Sequence, residues 1–296
     1  MSLVSLACVN DFRADALREA ILKSLNLIRF NFKRNVDKIV IKPNMCYYYH
    51  PSTGEVTDPR FVGALIDVFR KNFLGNPDIF IVESDASAMK CKYVFKMLGY
   101  DKIAEEKNVK LINLSNEKNA IVEVKVNDWY FKFCIPEILN QSDLIVNVPK
   151  MKYMDDVIIT CALKNMYGCN AYPKKSIYHT ALNEAIVGIN KLVKTNLVMV
   201  DGLVVCGKKT KRLGLIMGSE DPVAVDTVVS KMMGISPKAV NQVVLASKEG
   251  IGRMEPILVG EPFHRFEMLF PKKSIRDKIQ KSFTSLYTRI FRSEYE

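Results

Sequence analysis

KIVIKPN at residues 38–44, TDPRFVGALIDVF at 57–69 and DIFIVESD at 78–85 set a strand, a helix and a second strand in succession. Both outer runs are apolar along their length and stop at polar residues. Strands of that kind are covered on two faces and belong to parallel sheets. In the middle run Thr57 or Asp58 supplies the cap and Pro59 the first turn, while Val62, Leu65, Ile66 and Phe69 make one inner stripe. This is a βαβ unit, and it predicts the class of the whole domain.

Further apolar runs of the same type lie on either side: LVSLACV at 3–9, VKLINLS at 109–115, DLIVNVPK at 143–150, NLVMVDG at 196–202 and LGLIMGS at 213–219. Helical spacing separates them. Leu17, Ile21, Leu25 and Ile28 recur every three or four residues, and Gly99 suits a left-handed helix end. VIITCALKNMYG at 157–168, SIYHTALNEAIVGINKLVK at 176–194 and DPVAVDTVVSKMMG at 221–234 read as helices. IVEVKVNDWYFKFCI at 121–135 alternates instead, and predicts a hairpin turning at Asn127-Asp128. The fold class is therefore α/β, a mostly parallel sheet covered by helices on both faces, with a β-hairpin insertion and a C-terminal basic helix. Residues 1–263 form a single α/β domain. Residues 264–296 carry eight Lys/Arg against four Asp/Glu and place Ile275, Ile279, Phe283, Leu286 and Ile290 on one helical face, which marks them as a basic amphipathic extension.

Composition agrees with a folded protein. The 296 residues are 48% hydrophobic and 25% charged, which excludes disordered, collagenous and coiled-coil chains. Seven scattered cysteines with no CxxC pair argue against a disulfide framework and for a reducing compartment. There is no apolar run of about 18 residues, and MSLVSLACVNDF has no basic lead before an apolar core, so a soluble, cytoplasmic protein is expected. The net charge of +11 favours anionic partners.

In open α/β sheets ligands bind beyond the carboxyl ends of the strands. Here those ends carry Lys42-Pro43-Asn44, Glu83-Ser84-Asp85, Asn147 through Lys150, and Asp201-Gly202. Lys42, Asn44, Lys150, Lys152 and Asn165 are the expected contacts to a phosphate or carboxylate group. Glu83, Asp85 and Asp201 are hard oxygen ligands, suited to Mg²⁺ or another divalent cation held against an anionic substrate. Lys164 and His179 are the acid–base candidates. Each has a plainer alternative: an acidic residue capping a helix, a lysine at a helix carboxyl end, a structural histidine. Cys46, Cys161 and Cys169 show no cluster spacing and read as small apolar residues. GxGxxG after a strand, GxxxxGK[ST] and GxSxG are all missing.

KIVIKPN, TDPRFVGALIDVF, NVPKMKY at 147–153, ITCALKNMYG at 159–168 with His179 after it, VMVDGL at 198–203, GSEDPVAVDTVVSKMMG at 218–234 and GIG at 250–252 together resemble the domain of unknown function 362 family over residues 36–260. The resemblance implies no settled reaction. It picks out Lys42, Asn44, Asp58, Lys150, Lys164, Asn165, His179, Asp201, Asp221 and Asp226. Tyr153 stands where that family usually has histidine, which weakens any proton-transfer role there. Members are often fused to ferredoxin-like modules, but this chain lacks CxxCxxC runs, so no iron–sulfur cluster is expected within it.

The leading reading is an enzyme binding a small anionic metabolite at the strand ends. A redox or cofactor-assembly accessory working with separate ferredoxins is the alternative that the family fusions imply. A nucleic-acid or membrane-surface binder acting through the basic tail is a third. Nucleic acid ranks last, because few aromatics are interleaved with that charge.

Overall fold

The computed structural model describes residues 1–33 and 35–272. In chain order the elements are β1 (Leu3–Cys8), α1 (Ala14–Leu27), β2 (Lys38–Pro43), α2 (Pro59–Asn72), β3 (Asp78–Glu83), α3 (Cys91–Met97), α4 (Tyr100–Glu106), β4 (Lys110–Asn113), β5 (Asn119–Val126), β6 (Trp129–Pro136), α5 (Glu137–Asn140), β7 (Leu144–Val148), β8 (Lys152–Met154), β9 (Ile158–Thr160), α6 (Ala162–Met166), α7 (Leu182–Leu192), β10 (Leu197–Cys206), β11 (Thr210–Ser219), α8 (Pro222–Met232), α9 (Asn241–Lys248), β12 (Ile257–Gly260) and α10 (Phe263–Leu269).

The main sheet runs β12-β1-β11-β10-β7-β2-β3-β4, with β8 paired to β10 and β9 to β8. Along the main path only β11 runs against its neighbours; β12 with β1, β10 with β7, β7 with β2, β2 with β3 and β3 with β4 are all parallel. The mostly parallel sheet expected from the sequence is the sheet observed. LGLIMGS is the exception, an antiparallel strand reached from β10 by a tight return at residues 207–209.

Two cores explain why the strands are apolar throughout. Ile39, Ile41, Ile79, Ile81, Leu144, Val146 and Met199 face α1 and α2 in one cluster. Val40, Phe80, Val82, Ile145, Val198 and Val200 face α6, α7 and α8 in the other. Neighbouring residues on each strand enter opposite cores, as the period of two demands. The β5–β6 hairpin pairs from Asn119 with Pro136 to Val126 with Trp129 and stands apart from the main sheet. Its inner residues Val124, Val126, Phe131 and Phe133 pack on the second core, where Gly188 of α7 leaves room for the Phe133 ring.

One expectation needs correction. VIITCALKNMYG is not one helix: its β-branched first half is β9, antiparallel to β8, and only Ala162–Met166 is helical. The tail helix carrying Ile275, Ile279, Phe283, Leu286 and Ile290 lies outside the described residues. The described part of the extension returns to the core, with Phe266 of α10 buried beside α8 and the Lys208 N–H donating to Pro271 O.

The two Asp-Pro starts do cap helices. Asp58 accepts from Arg60 N–H at the start of α2, and Asp221 accepts from Val223 and Ala224 N–H, both at 2.9 Å, at the start of α8. Asp221 also takes the Arg253 N–H at 2.9 Å. Asp221→Ala is therefore expected to cost about 2 kcal/mol, the upper end of the range for a lost cap. Chemical denaturation checks it.

Candidate functional site at a sheet switch point

The order β10-β7-β2-β3-β4 turns back on itself at β2 and β7. From β2 the chain crosses through α2 to β3 on one side; from β7 it crosses through α6 and α7 to β10 on the other. The connections leave on opposite faces, and in open α/β sheets it is beyond the strand ends at such a point, here those of β2 and β7, that ligands bind. The loop 44–58 borders this point from one core and α6 from the other.

Lys42 is the second-last residue of β2 and Glu83 the last of β3, two neighbouring parallel strands. The Lys42 ammonium donates to Glu83 Oε2 and to Pro43 O, both at 2.7 Å, and the two side chains are almost wholly enclosed. Ser84 N–H donates to Glu83 Oε1 at 3.0 Å. Gly168 closes over this pair: a Cβ on it would lie 2.9 Å from Lys42 Cε and 3.0 Å from Glu83 Oε1. That close approach accounts for the glycine that ends KNMYG.

A second buried pair sits farther along the rim. Lys150 Nζ lies 3.2 Å from Asp201 Oδ1 and donates to Val204 O at 2.7 Å, with Lys150 1% and Asp201 0% exposed. Burial pushes the Asp201 carboxyl up, against the pull of Lys150. Asp201 Oδ2 also accepts from the Asp58 N–H at 2.8 Å. Thr57 ties this end to β2 and β7: its hydroxyl accepts from Asn44 N–H and donates to Val148 O, each at 2.8 Å. The rim is thus one connected network from Glu83 to Asp201.

A run of amides lies at the switch point itself. Asn147 Nδ2 donates to Ala162 O at 2.8 Å, Asn165 Nδ2 to Asn147 Oδ1 at 2.7 Å and to Lys42 O at 3.0 Å, and Asn44 Nδ2 to Asn165 Oδ1 at 3.0 Å. Beyond Asn44, Lys152 donates to Cys46 Sγ and to Glu55 O, both at 2.8 Å. Lys164, next to Asn165 on α6, is half-buried and makes no hydrogen bond or ion pair with any described residue. Burial, then the neighbouring Lys152, lowers its pKa.

Asp226 explains how so short a helix holds its place. From α8 its carboxyl group accepts from Ala162 N–H at 2.7 Å and Leu163 N–H at 3.1 Å, buried donors of the first turn of α6 that have no partner within the helix. It is a positioning residue for Lys164 and Asn165.

The expected carboxylate trio is not assembled. Asp85 turns away from Glu83 and accepts from Cys91 N–H at 2.9 Å, from Asn113 Nδ2 at 3.1 Å and from Lys90 at 3.0 Å. Glu83 faces Lys42 and Asp201 faces Lys150, because a carboxylate withdrawn from water needs a cation beside it. Among the described residues no three His, Cys, Asp or Glu side chains converge as a metal site. The three residues chosen for a divalent cation therefore do not fit one.

His179 is exposed and bonds to no rim residue. The same 3-10 turn, Lys175–Ala181, does send a side chain inward, but it is Lys175. Its ammonium donates to Ser84 Oγ at 2.9 Å and Asp85 O at 2.6 Å, and burial lowers its pKa to about 8. Tyr153, in the position where the resembled family usually has histidine, donates to Met233 O at 2.8 Å.

A family model described as Domain of unknown function (DUF362) matches residues 39–231. The chain belongs to this family. The DUF362 span includes Lys42, Glu83, Lys150, Lys164, Lys175, Asp201 and Asp226, so the whole rim lies within it. A curated relative, the thylakoid-associated protein sll1697 of Synechocystis sp., is 21% identical over 239 residues, covering 75% of this chain and 70% of that one. Two solved structures are similar in part. The lactate racemase apoprotein from Thermoanaerobacterium thermosaccharolyticum has a TM-score of 0.47 at 10% identity, covering 79% of this chain and 58% of its own. A structural-genomics protein from Thermotoga maritima has 0.40 at 11%, covering 80% and 59%. The chain spans less than two thirds of either solved chain. Among the described residues no helix is long and apolar enough to cross a membrane.

Proposed function

We propose that this DUF362 chain binds a small anionic metabolite, bearing a phosphate or a carboxylate, at the switch point between β2 and β7, and that Lys164 is the cation that meets it. The observation that carries this reading is the Lys164 ammonium, half-buried at the sheet switch point with no acceptor of its own. The other rim lysines are engaged: Lys42 with Glu83, Lys150 with Asp201, Lys152 with Cys46 and Glu55, Lys175 with Ser84 and Asp85. Lys164 keeps part of its surface in water and has the Asp156 carboxylate within electrostatic reach, but its ammonium has no hydrogen-bonded acceptor among the described residues, and an anionic ligand would supply one. Lys42 and Lys150, expected from the sequence to touch the ligand, act from beneath by fixing the strand ends.

The lowered pKa also suits Lys164 to exchange a proton with a bound metabolite, the step by which binding becomes catalysis. Thermal shift with inorganic phosphate, pyrophosphate and citrate tests the reading. The expected result is a rise in Tm with at least one of them, and a loss of affinity of about tenfold or more in Lys164→Met, in keeping with a hydrogen bond to a charged group. The unliganded melting temperature of that variant should hold or rise, since a half-buried ammonium with no hydrogen-bonded acceptor has gone. A wild-type protein whose Tm moves with none of the three overturns the proposal.

A further inference from the structure

The direction of the amide chain adds to the description of the ligand. Ala162 O and Lys42 O are carbonyls and can only accept. Asn147 must therefore turn its NH2 group to Ala162, which leaves its oxygen for Asn165. Asn165 must turn its own NH2 group to Lys42 O and Asn147 Oδ1, which leaves its oxygen for Asn44. Asn44 is then obliged to present its NH2 group to Asn165. Flipping any one of the three amides sets oxygen against oxygen or nitrogen against nitrogen. The polarity of the chain is fixed at its carbonyl end, and it terminates on Asn44 Oδ1.

That terminal oxygen is buried and has no hydrogen-bond partner, on a residue 8% exposed. Several other buried polar atoms among the described residues lack partners, but Asn44 Oδ1 is set apart by its place at the carboxyl end of β2, beside α6. Asn44 and Cys46 are two residues apart on the loop leaving β2. Asn165 and Lys164 are consecutive on α6. Asn44 bonds to Asn165, and Lys164 lies within electrostatic reach of Lys152, Cys46 and Asp156. An acceptor and a cation, neither hydrogen-bonded to any described residue, thus lie on the two elements that meet at the switch point. A simple anion answers the cation and leaves the acceptor bare.

We infer that the anion bound here carries a hydroxyl beside its charged group, and that Asn44 Oδ1 accepts the proton of that hydroxyl while Lys164 meets the charge. This rests on the anion-binding reading above and narrows it to hydroxylated carboxylates or phosphates. A site built to hydrogen-bond a hydroxyl rejects the analogue without one, because the buried acceptor is then left unpaired.

Matched probes test it by calorimetry on the full chain: glycolate against acetate, and glycerol 3-phosphate against propyl phosphate. The two pairs separate a carboxylate from a phosphate as the charged group. In the pair whose charge the site accepts, the hydroxylated member is expected to bind about tenfold tighter, the worth of one buried hydrogen bond. Asn44→Ala should bring that ratio close to one, and Lys164→Met should weaken both members while keeping the ratio. If Asn44→Ala does not fold, the wild-type ratio decides alone. Equal affinity within both pairs overturns the inference and leaves anion binding standing. No binding by any probe overturns both.

Discussion

Glu83→Gln is expected to lower the unfolding free energy by about 3–5 kcal/mol, the usual cost of stranding a buried charge, and to be more damaging than Lys42→Met. The asymmetry comes from Lys175. Glu83 receives the Lys42 ammonium at 2.7 Å, and its charge also supports the proton on Lys175, whose ammonium otherwise has only a hydroxyl and a carbonyl to bond. Remove the carboxylate and two enclosed ammonium groups face each other. Remove Lys42 and Glu83 still has Lys175 nearby. Urea denaturation of the two single variants at neutral pH measures the order. A double variant, Lys42→Met with Glu83→Leu, should recover much of the loss, since replacing a buried pair with apolar groups of similar volume is close to neutral. An effect of Glu83→Gln below about 1 kcal/mol is the size expected of an exposed pair, and would contradict the closure under Gly168.

The parts of this molecule that were legible in the sequence are those set by neighbouring residues. Asp58-Pro59 and Asp221-Pro222 begin helices because the cap and the first turn are adjacent in the chain. The hairpin turns at Asn127-Asp128 because alternation stops there, and Asn127 takes the positive φ that asparagine tolerates. The polar strand ends were visible for the same reason, and the sheet does bring most of them to one rim. Partnerships across the rim were not visible. Glu83 and Asp85 stand two apart in one run, yet one faces Lys42 and the other accepts from the Cys91 N–H at the start of α3, because β3 has ended between them. Lys175 sits in YPKKS, with no apolar period to signal burial, and it enters the site only because the 3-10 turn carries it over Ser84. Residues 157–160 run directly on to α6, and no Gly or Pro between them marks where strand gives way to helix. Pairing with β8 decides them as strand, and β8 itself is too short to announce.

Asp226 gives the second large effect. Burial raises its carboxyl to about 7, against the pull of the Leu163 and Ala162 N–H groups, from an ordinary value of 3.8. Between those two values the folded protein keeps a proton that the unfolded chain has released, so stability falls as pH rises through this window. The full contribution is roughly 4 kcal/mol, present at pH 4 and lost by about pH 8. Carboxylates whose pKa is lowered in the fold, such as Asp85, act in the opposite sense, so the measurement is the difference between the wild type and Asp226→Asn across pH. Asparagine cannot ionise and keeps one acceptor for α6. The wild type is expected to be the more stable at pH 4, with the gap closing or reversing near pH 8. Lys175 titrates in a separate range: its folded value of about 8 lies below the ordinary 10.5, so there stability rises with pH, and Lys175→Met removes that alkaline rise alone. A pH-independent gap for Asp226→Asn would mean that its carboxyl is ionised throughout. A gap of the expected form would tie the seating of α6, and with it Lys164 and Asn165, to one proton on α8. Anion affinity should then fall in Asp226→Asn even though residue 226 itself bonds to α6 and not to the ligand.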